Sequence, residues 1–135
     1  MLLHYWEVQL VDEKVDIYMR LLELAETTLE GIEHIYDRTM YGCFEDTSGL
    51  FTDVADSFHE IKKALLAYMP EYAENELDKI SDEVIEGMKM LLLAYEGDQD
   101  VRPMVVLQFA LLPAFRRWHV ELQENLGQIC APSMN

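Results

Sequence analysis

Leu77-Asp78-Lys79-Ile80-Ser81-Asp82-Glu83-Val84-Ile85-Glu86-Gly87-Met88-Lys89-Met90-Leu91-Leu92-Leu93-Ala94-Tyr95 sets Leu77, Ile80, Val84, Met88, Leu91 and Tyr95 three or four positions apart. In an α-helix that spacing brings all six onto one face. A half-buried strand would need alternation every second residue, which this stretch lacks. The same period returns on both sides. Upstream stand Val15-Tyr18-Leu22-Ala25-Leu29-Ile32-Tyr36 and Val54-Phe58-Ile61-Leu65-Tyr68; downstream stand Val105-Phe109-Leu112 with Phe115, Trp118 and Leu122. Four amphipathic helices in 135 residues predict a single all-α domain over 1–135. Short connections favour an antiparallel up-down four-helix bundle.

The punctuation between these runs predicts the boundaries. Asp12 is placed to cap the first long helix, which reaches about Tyr41 and stops at Gly42. Gly31 interrupts it, and close packing against a neighbour accounts for such a residue. Asp46 or Thr47 caps helix two, which ends near Met69 because Pro70 disfavours helical geometry in the residue before it. Helix three starts between Glu71 and Asn75 and ends near Glu96, with Gly97 as its stop. Asp100 caps helix four, and Pro103 falls in its first turn, where a missing N–H costs little. Pro113 lies mid-helix and removes the hydrogen bond to the Phe109 carbonyl, so a kink is expected there. The kink lets helix four wrap the bundle, or it opens a groove. Residues 1–11 read as a short aromatic N-terminal arm or an extra helical turn, and 127–135 as a frayed tail.

Charge narrows the partners. The chain carries a formal −16, which repels phosphate backbones and anionic membrane surfaces. No nucleic acid and no membrane are expected as partners. The acidity falls on the first three helices, while 101–125 is apolar and carries Arg102, Arg116 and Arg117 against Glu121 and Glu124. Pairing of Arg116 and Arg117 with carboxylates of neighbouring helices is the structural explanation; recognition of an acidic ligand is the functional one. Cys43 and Cys130 form no C-x-x-C pair and read as two reduced thiols of a cytoplasmic protein. MLLHYWEVQLV lacks the basic start of a signal peptide, and no apolar run is long enough to span a bilayer.

No stretch carries catalytic chemistry. There is no G-x-S-x-G elbow and no phosphate-cradling glycine loop. A di-iron bundle needs Glu-x-x-His on two helices. Of His4, His34, His59 and His119, only His59, with Asp56 three residues before it, approaches that pattern, and Arg116 stands where His119 would need a carboxylate. Glu30 and His34 at i,i+4 could share a metal with a third ligand, but such pairs also occur on solvated helix faces. No cofactor is predicted, and no enzyme activity. Met88, Met90 and Met104 near the junction of helices three and four suit core packing or an adaptable binding groove.

Leu93-Ala94-Tyr95-Glu96-Gly97-Asp98, followed by Leu107-Gln108-Phe109-Ala110-Leu111-Leu112-Pro113-Ala114-Phe115-Arg116-Arg117-Trp118, resembles an uncharacterised family of small bacterial helical proteins with an L-Q-F-x-L-L-P-x-F-x-x-W-like helix. Glu45-Asp46-Thr47 through Leu50, Asp53 and Phe58 fits the same resemblance. It implies a shared fold and a bacterial origin, and no reaction. Size, acidity and helical content are also similar to bacterial export and flagellar chaperones, at the level of fold alone.

These readings converge on a non-enzymatic interaction module, adaptor-like or chaperone-like, that accepts a partner helix between helices three and four. Tyr95, Phe109, Pro113, Phe115, Arg116 and Trp118 form the candidate interaction surface, or else core and kink. Self-association through 1–11 or helix four is a second reading. A small-molecule or metal-binding bundle, with His34, His59 and His119 as ligands, is a third.

Overall fold

A computed structural model describes the backbone of residues 2–69, 72 and 76–130, with side chains over 13–69, 72 and 76–127. Helix α1 runs Leu2–Met40, a 3₁₀ turn follows at Phe44–Thr47, and α2 occupies Ser48–Tyr68. Helix α3 is Glu76–Tyr95. The fourth helix is continuous but changes register: α4 at Pro103–Val106, a π turn at Leu107–Leu111, then α5 at Leu112–Cys130. The expected all-α bundle is therefore present, with its proline-bearing fourth helix.

Two pairs of contacts and one ring contact fix the directions. The Tyr18 hydroxyl donates to the Tyr68 carbonyl at 2.8 Å, while Gly31 abuts Val54 and Leu50, so α1 and α2 are antiparallel. The Arg117 guanidinium reaches Glu83, and Gly87 lies against Leu111, so α3 and the fourth helix are antiparallel. Phe51 meets Tyr95 with ring centroids 4.9 Å apart, which sets the start of α2 beside the end of α3. Close packing expected at Gly31 is confirmed: a Cβ there would stand 2.8 Å from Val54 Cγ2.

The stops follow the sequence reading. Gly42 (φ 78°) and Gly97 (φ 92°) adopt the left-handed conformation that favours glycine. At each, the next N–H reaches back five residues, Cys43 to the Arg38 carbonyl and Asp98 to the Leu93 carbonyl. These bonds satisfy orphan carbonyls at the helix ends.

The starts differ from it. The α1 backbone is already helical at Leu2, so Asp12 lies inside the helix and 2–11 extends it, with residue 1 of the expected arm outside the described residues. Thr47 precedes α2 without a side-chain cap. Its hydroxyl is taken by the Phe44 carbonyl and the Tyr95 phenol instead. Arg102, not Asp100, precedes α4, with Pro103 in the first turn as expected. Helix α5 continues through 127–130, and 131–135 lie outside the described residues.

The fourth helix carries the largest correction. Val105 and Phe109 were expected on the buried face, yet they are 47% and 71% exposed. Val106, Leu107 and Leu111 are buried in their place. The π turn is the cause: the Leu112 N–H reaches the Leu107 carbonyl, five residues back. One inserted residue rotates the preceding segment by roughly 100° relative to α5. The turn stands immediately before Pro113, where an α-helix would have crowded the ring against the carbonyl four residues earlier.

One core serves all four helices. Ile32, Ile61, Leu65, Leu91, Leu107, Phe115, Trp118 and Leu122 are fully buried. Phe58 meets Phe115 and Trp118 edge-on, at centroid distances of 5.9 and 5.0 Å, the geometry aromatic quadrupoles prefer. Helix α1 packs closely along α2 and α5, and α3 along the π turn and α5. The fourth edge of the bundle differs, because the described backbones of α2 and α3 approach each other far less closely than those at the other three edges.

Candidate functional site

The gap between α2 and α3 is a groove of about 590 Å³. Helix α2 contributes Phe51, Ala55, Phe58, His59, Lys62, Lys63 and Leu66; α3 contributes Ile85, Met88, Lys89 and Leu92. On α2 these positions recur every three or four residues from 51 to 66, and on α3 from 85 to 92. Each helix thus carries a second apolar stripe beside the one it buries. Phe51, Phe58 and Met88 are buried and form the floor. The walls are unusually apolar for a surface: Leu66 is 55% exposed and Leu92 45%.

The rim is basic. His59, Lys62, Lys63 and Lys89 line the groove, and among the described residues none that lines it is acidic. Three of the chain's five lysines gather here in a molecule of net charge −16. Lys62 is half-buried, so its methylene stem lies along apolar surface while the ammonium reaches water. Lys89 also pairs with Glu86 at 3.5 Å.

Two tyrosines are held by hydrogen bonds toward opposite ends of α3. Tyr95 stacks on Phe44 at 4.0 Å and meets the Thr47 hydroxyl at 2.7 Å. At the other end the buried Tyr72 hydroxyl donates to Ser81 Oγ at 3.1 Å, and Ser81 donates to the Asp78 carbonyl at 2.8 Å. Burial raises both phenol pKa values above the ordinary 10.0, with the hydrogen bonds to Ser81 and Thr47 opposing the shift. The Trp118 indole N–H has no hydrogen-bond partner among the described residues, although it stands near enough to the Tyr72 hydroxyl to favour the ionised phenol.

The residues singled out from sequence are dispersed. Phe115 and Trp118 are core, at 0% exposure, and offer no surface to a partner. Tyr95 and Pro113 are half-buried. Phe109 projects from the π turn beside Met90, over a shallow hollow shared with Asp82, Glu83, Glu86 and Arg117. Arg116 and Arg117 are exposed and pair with Glu33 (3.6 Å) and Glu83, as the structural explanation required. The expected seam between helices three and four is closed, since Gly87 brings α3 onto the Leu111 backbone. The open seam is the one between helices two and three. His34 and His59 are exposed and His119 half-buried, and no three His, Cys, Asp or Glu side chains converge as a metal site among the described residues. Cys43 is a free thiol. No helix among the described residues is long and apolar enough to cross a membrane.

Sequence reasoning passed over Lys62, Lys63, Lys89, Leu66 and Leu92. Clustered lysines in a strongly acidic chain were the available signal; Met88 and His59 were noticed, but for other roles. Comparison with known proteins gives a family and no activity. Residues 16–121 match the model of a domain of unknown function, DUF8042, and the chain belongs to that family. The matched span contains the whole groove. No curated protein and no solved structure matches the chain.

Proposed function

We propose that this protein is a non-enzymatic interaction module, adaptor-like or chaperone-like, whose α2–α3 groove holds one helix of a partner. The observation that carries this reading is the unfilled edge of the bundle. Two helices present facing apolar side chains along an edge where their backbones approach only sparsely, which is the geometry of helix-in-groove recognition. Along α2 the lining spans 51–66, so about four turns of a partner helix fit beside it. Among the described residues the lining holds no Ser, Cys, Asp or Glu; what it offers is apolar surface and basic nitrogens rather than a nucleophile with its base.

Nuclear magnetic resonance of the full chain, titrated with amphipathic helical peptides of about 15 residues, tests the reading. Shifts concentrated at Phe51–Leu66 and Ile85–Leu92 are expected. Shifts confined to Met90 and Phe109 would place binding on the other exposed apolar surface and overturn it. The groove volume of about 590 Å³ also lies in the range of small-molecule pockets. That supports a second reading, an apolar small molecule with an anionic head.

A further inference from the structure

We infer that the helix this groove accepts is acidic, with carboxylates flanking its apolar stripe. The inference rests on the helix-in-groove reading and adds the partner's chemistry. A helix seated on Phe58 and Met88 brings the side chains beside its apolar stripe up to the two rims. His59, Lys62 and Lys63 stand on the α2 rim, and Lys89, which shares its charge with Glu86 at 3.5 Å, on the α3 rim. A lysine or arginine on the incoming helix would face these bases, whereas Glu or Asp would pair with them. The remaining surface argues in the same direction. The chain's net charge of −16 attracts basic helices without regard to place. An acidic helix is repelled by most of that surface and finds compensating charge at the rim. Screening confines these forces to about 8 Å at physiological ionic strength, so the nearest bases decide the outcome. Discrimination thus comes from repulsion elsewhere as much as from attraction at the groove.

Two stapled helical peptides of about 15 residues, sharing one leucine stripe and flanked by Glu in one and Lys in the other, provide the test. Their binding to the full chain is read by fluorescence anisotropy at physiological salt. Several exposed ion pairs, each modest, amount to a preference of about tenfold for the Glu peptide. Reversing the rim with Lys62→Glu, Lys63→Glu and Lys89→Glu leaves the buried floor intact and is expected to invert the preference. Leu66→Ala with Leu92→Ala weakens both peptides. Equal or tighter binding of the Lys peptide overturns the acidic assignment while leaving the groove reading standing. A Glu preference that survives rim reversal places the peptide elsewhere and overturns it too. Binding of neither peptide, with dodecanoate bound and displaced by Leu66→Ala, overturns both readings in favour of a small anionic amphiphile. Binding of none of the three also overturns both, and a dimer that buries Leu66 and blocks both peptides assigns the groove to a second copy.

Discussion

Consecutive residues of α3 face two different neighbours. Gly87 turns toward the fourth helix, where an added Cβ would lie 3.1 Å from Leu111 Cα. Met88 turns toward α2 and forms part of the groove floor. On the first side a missing side chain lets two backbones meet and exclude water. On the second, the large side chains of Phe51, Phe58, Met88, Leu66 and Leu92 line the gap, and the apolar stripe stays open. Helical periodicity is the same on both sides. Residue size at the point of approach separates a sealed edge from a binding edge, because interiors pack at crystal-like density and cannot absorb bulk freely.

The sharpest way to break that comparison is to remove one large side chain from each edge. Leu111→Ala empties a fully buried site against Gly87 and is expected to cost about 2–5 kcal/mol. Leu92→Ala on the open wall is expected to stay within about 1 kcal/mol, since a half-exposed side chain loses little burial. Urea unfolding of both variants decides the matter. Similar losses would mean the α2–α3 edge is core rather than groove.

The close approach itself can be tested next. Gly87→Leu forces side-chain atoms onto the Leu111 backbone and should destabilise by roughly 1–3 kcal/mol. Gly49→Ala is the counterpart at a helical glycine with nothing within 4 Å, and there the better helix propensity should add up to about 1 kcal/mol. A neutral Gly87→Leu, measured by thermal and urea unfolding, would show that the sealed edge yields as readily as the open one.

These edges were unequally legible in the sequence. The α3 stripe was readable because every residue from 77 to 95 keeps one helical register. Val105 and Phe109 were misplaced because the π turn at Leu107–Leu111 adds a residue that periodicity cannot register. The proline that announced a local disturbance was visible; the rotation it accompanies was not. The groove was illegible for another reason. Period tells which face of a helix is apolar, and not which pairs of faces close. Leu65-Leu66 and Leu91-Leu92 each place one leucine in the core and the next on the groove wall, and no local pattern distinguishes the two. Gly31 was read correctly because a glycine inside a strong helix has few other uses.

The two hydrogen-bonded tyrosines toward the ends of α3, Tyr72 and Tyr95, sharpen the comparison through pH. Both phenols have pKa values raised in the folded state, first by burial. A group whose folded value exceeds its unfolded value of about 10 contributes stability that is complete below that pH. The contribution is lost as pH rises through the folded value. Stability should therefore fall in the alkaline range, and Tyr72→Phe with Tyr95→Phe should flatten that fall. At neutral pH, Tyr95→Phe keeps the stack on Phe44 and loses the Thr47 hydrogen bond, a cost of about 0.5–1.5 kcal/mol. An unchanged alkaline profile in the double variant would show that the ends of α3 are held by packing alone.

The smallest expected effect concerns the ion pair that bridges the sealed edge. Arg117 crosses from α5 to Glu83 on α3, and a striking-looking bridge at a tight seam invites the inference that it holds the seam shut. Both side chains are more than half exposed, at 60% and 52%, so water and salt screen their attraction. Arg117→Gln is expected to cost about 0.2–1 kcal/mol, shrinking further at high salt. Gly87 and Leu111 would keep the helices together without the pair. If Arg117→Gln instead opened the α3 edge, seen as new hydrogen exchange at buried Val84 and Leu91 amides, electrostatics rather than residue size would separate the two edges.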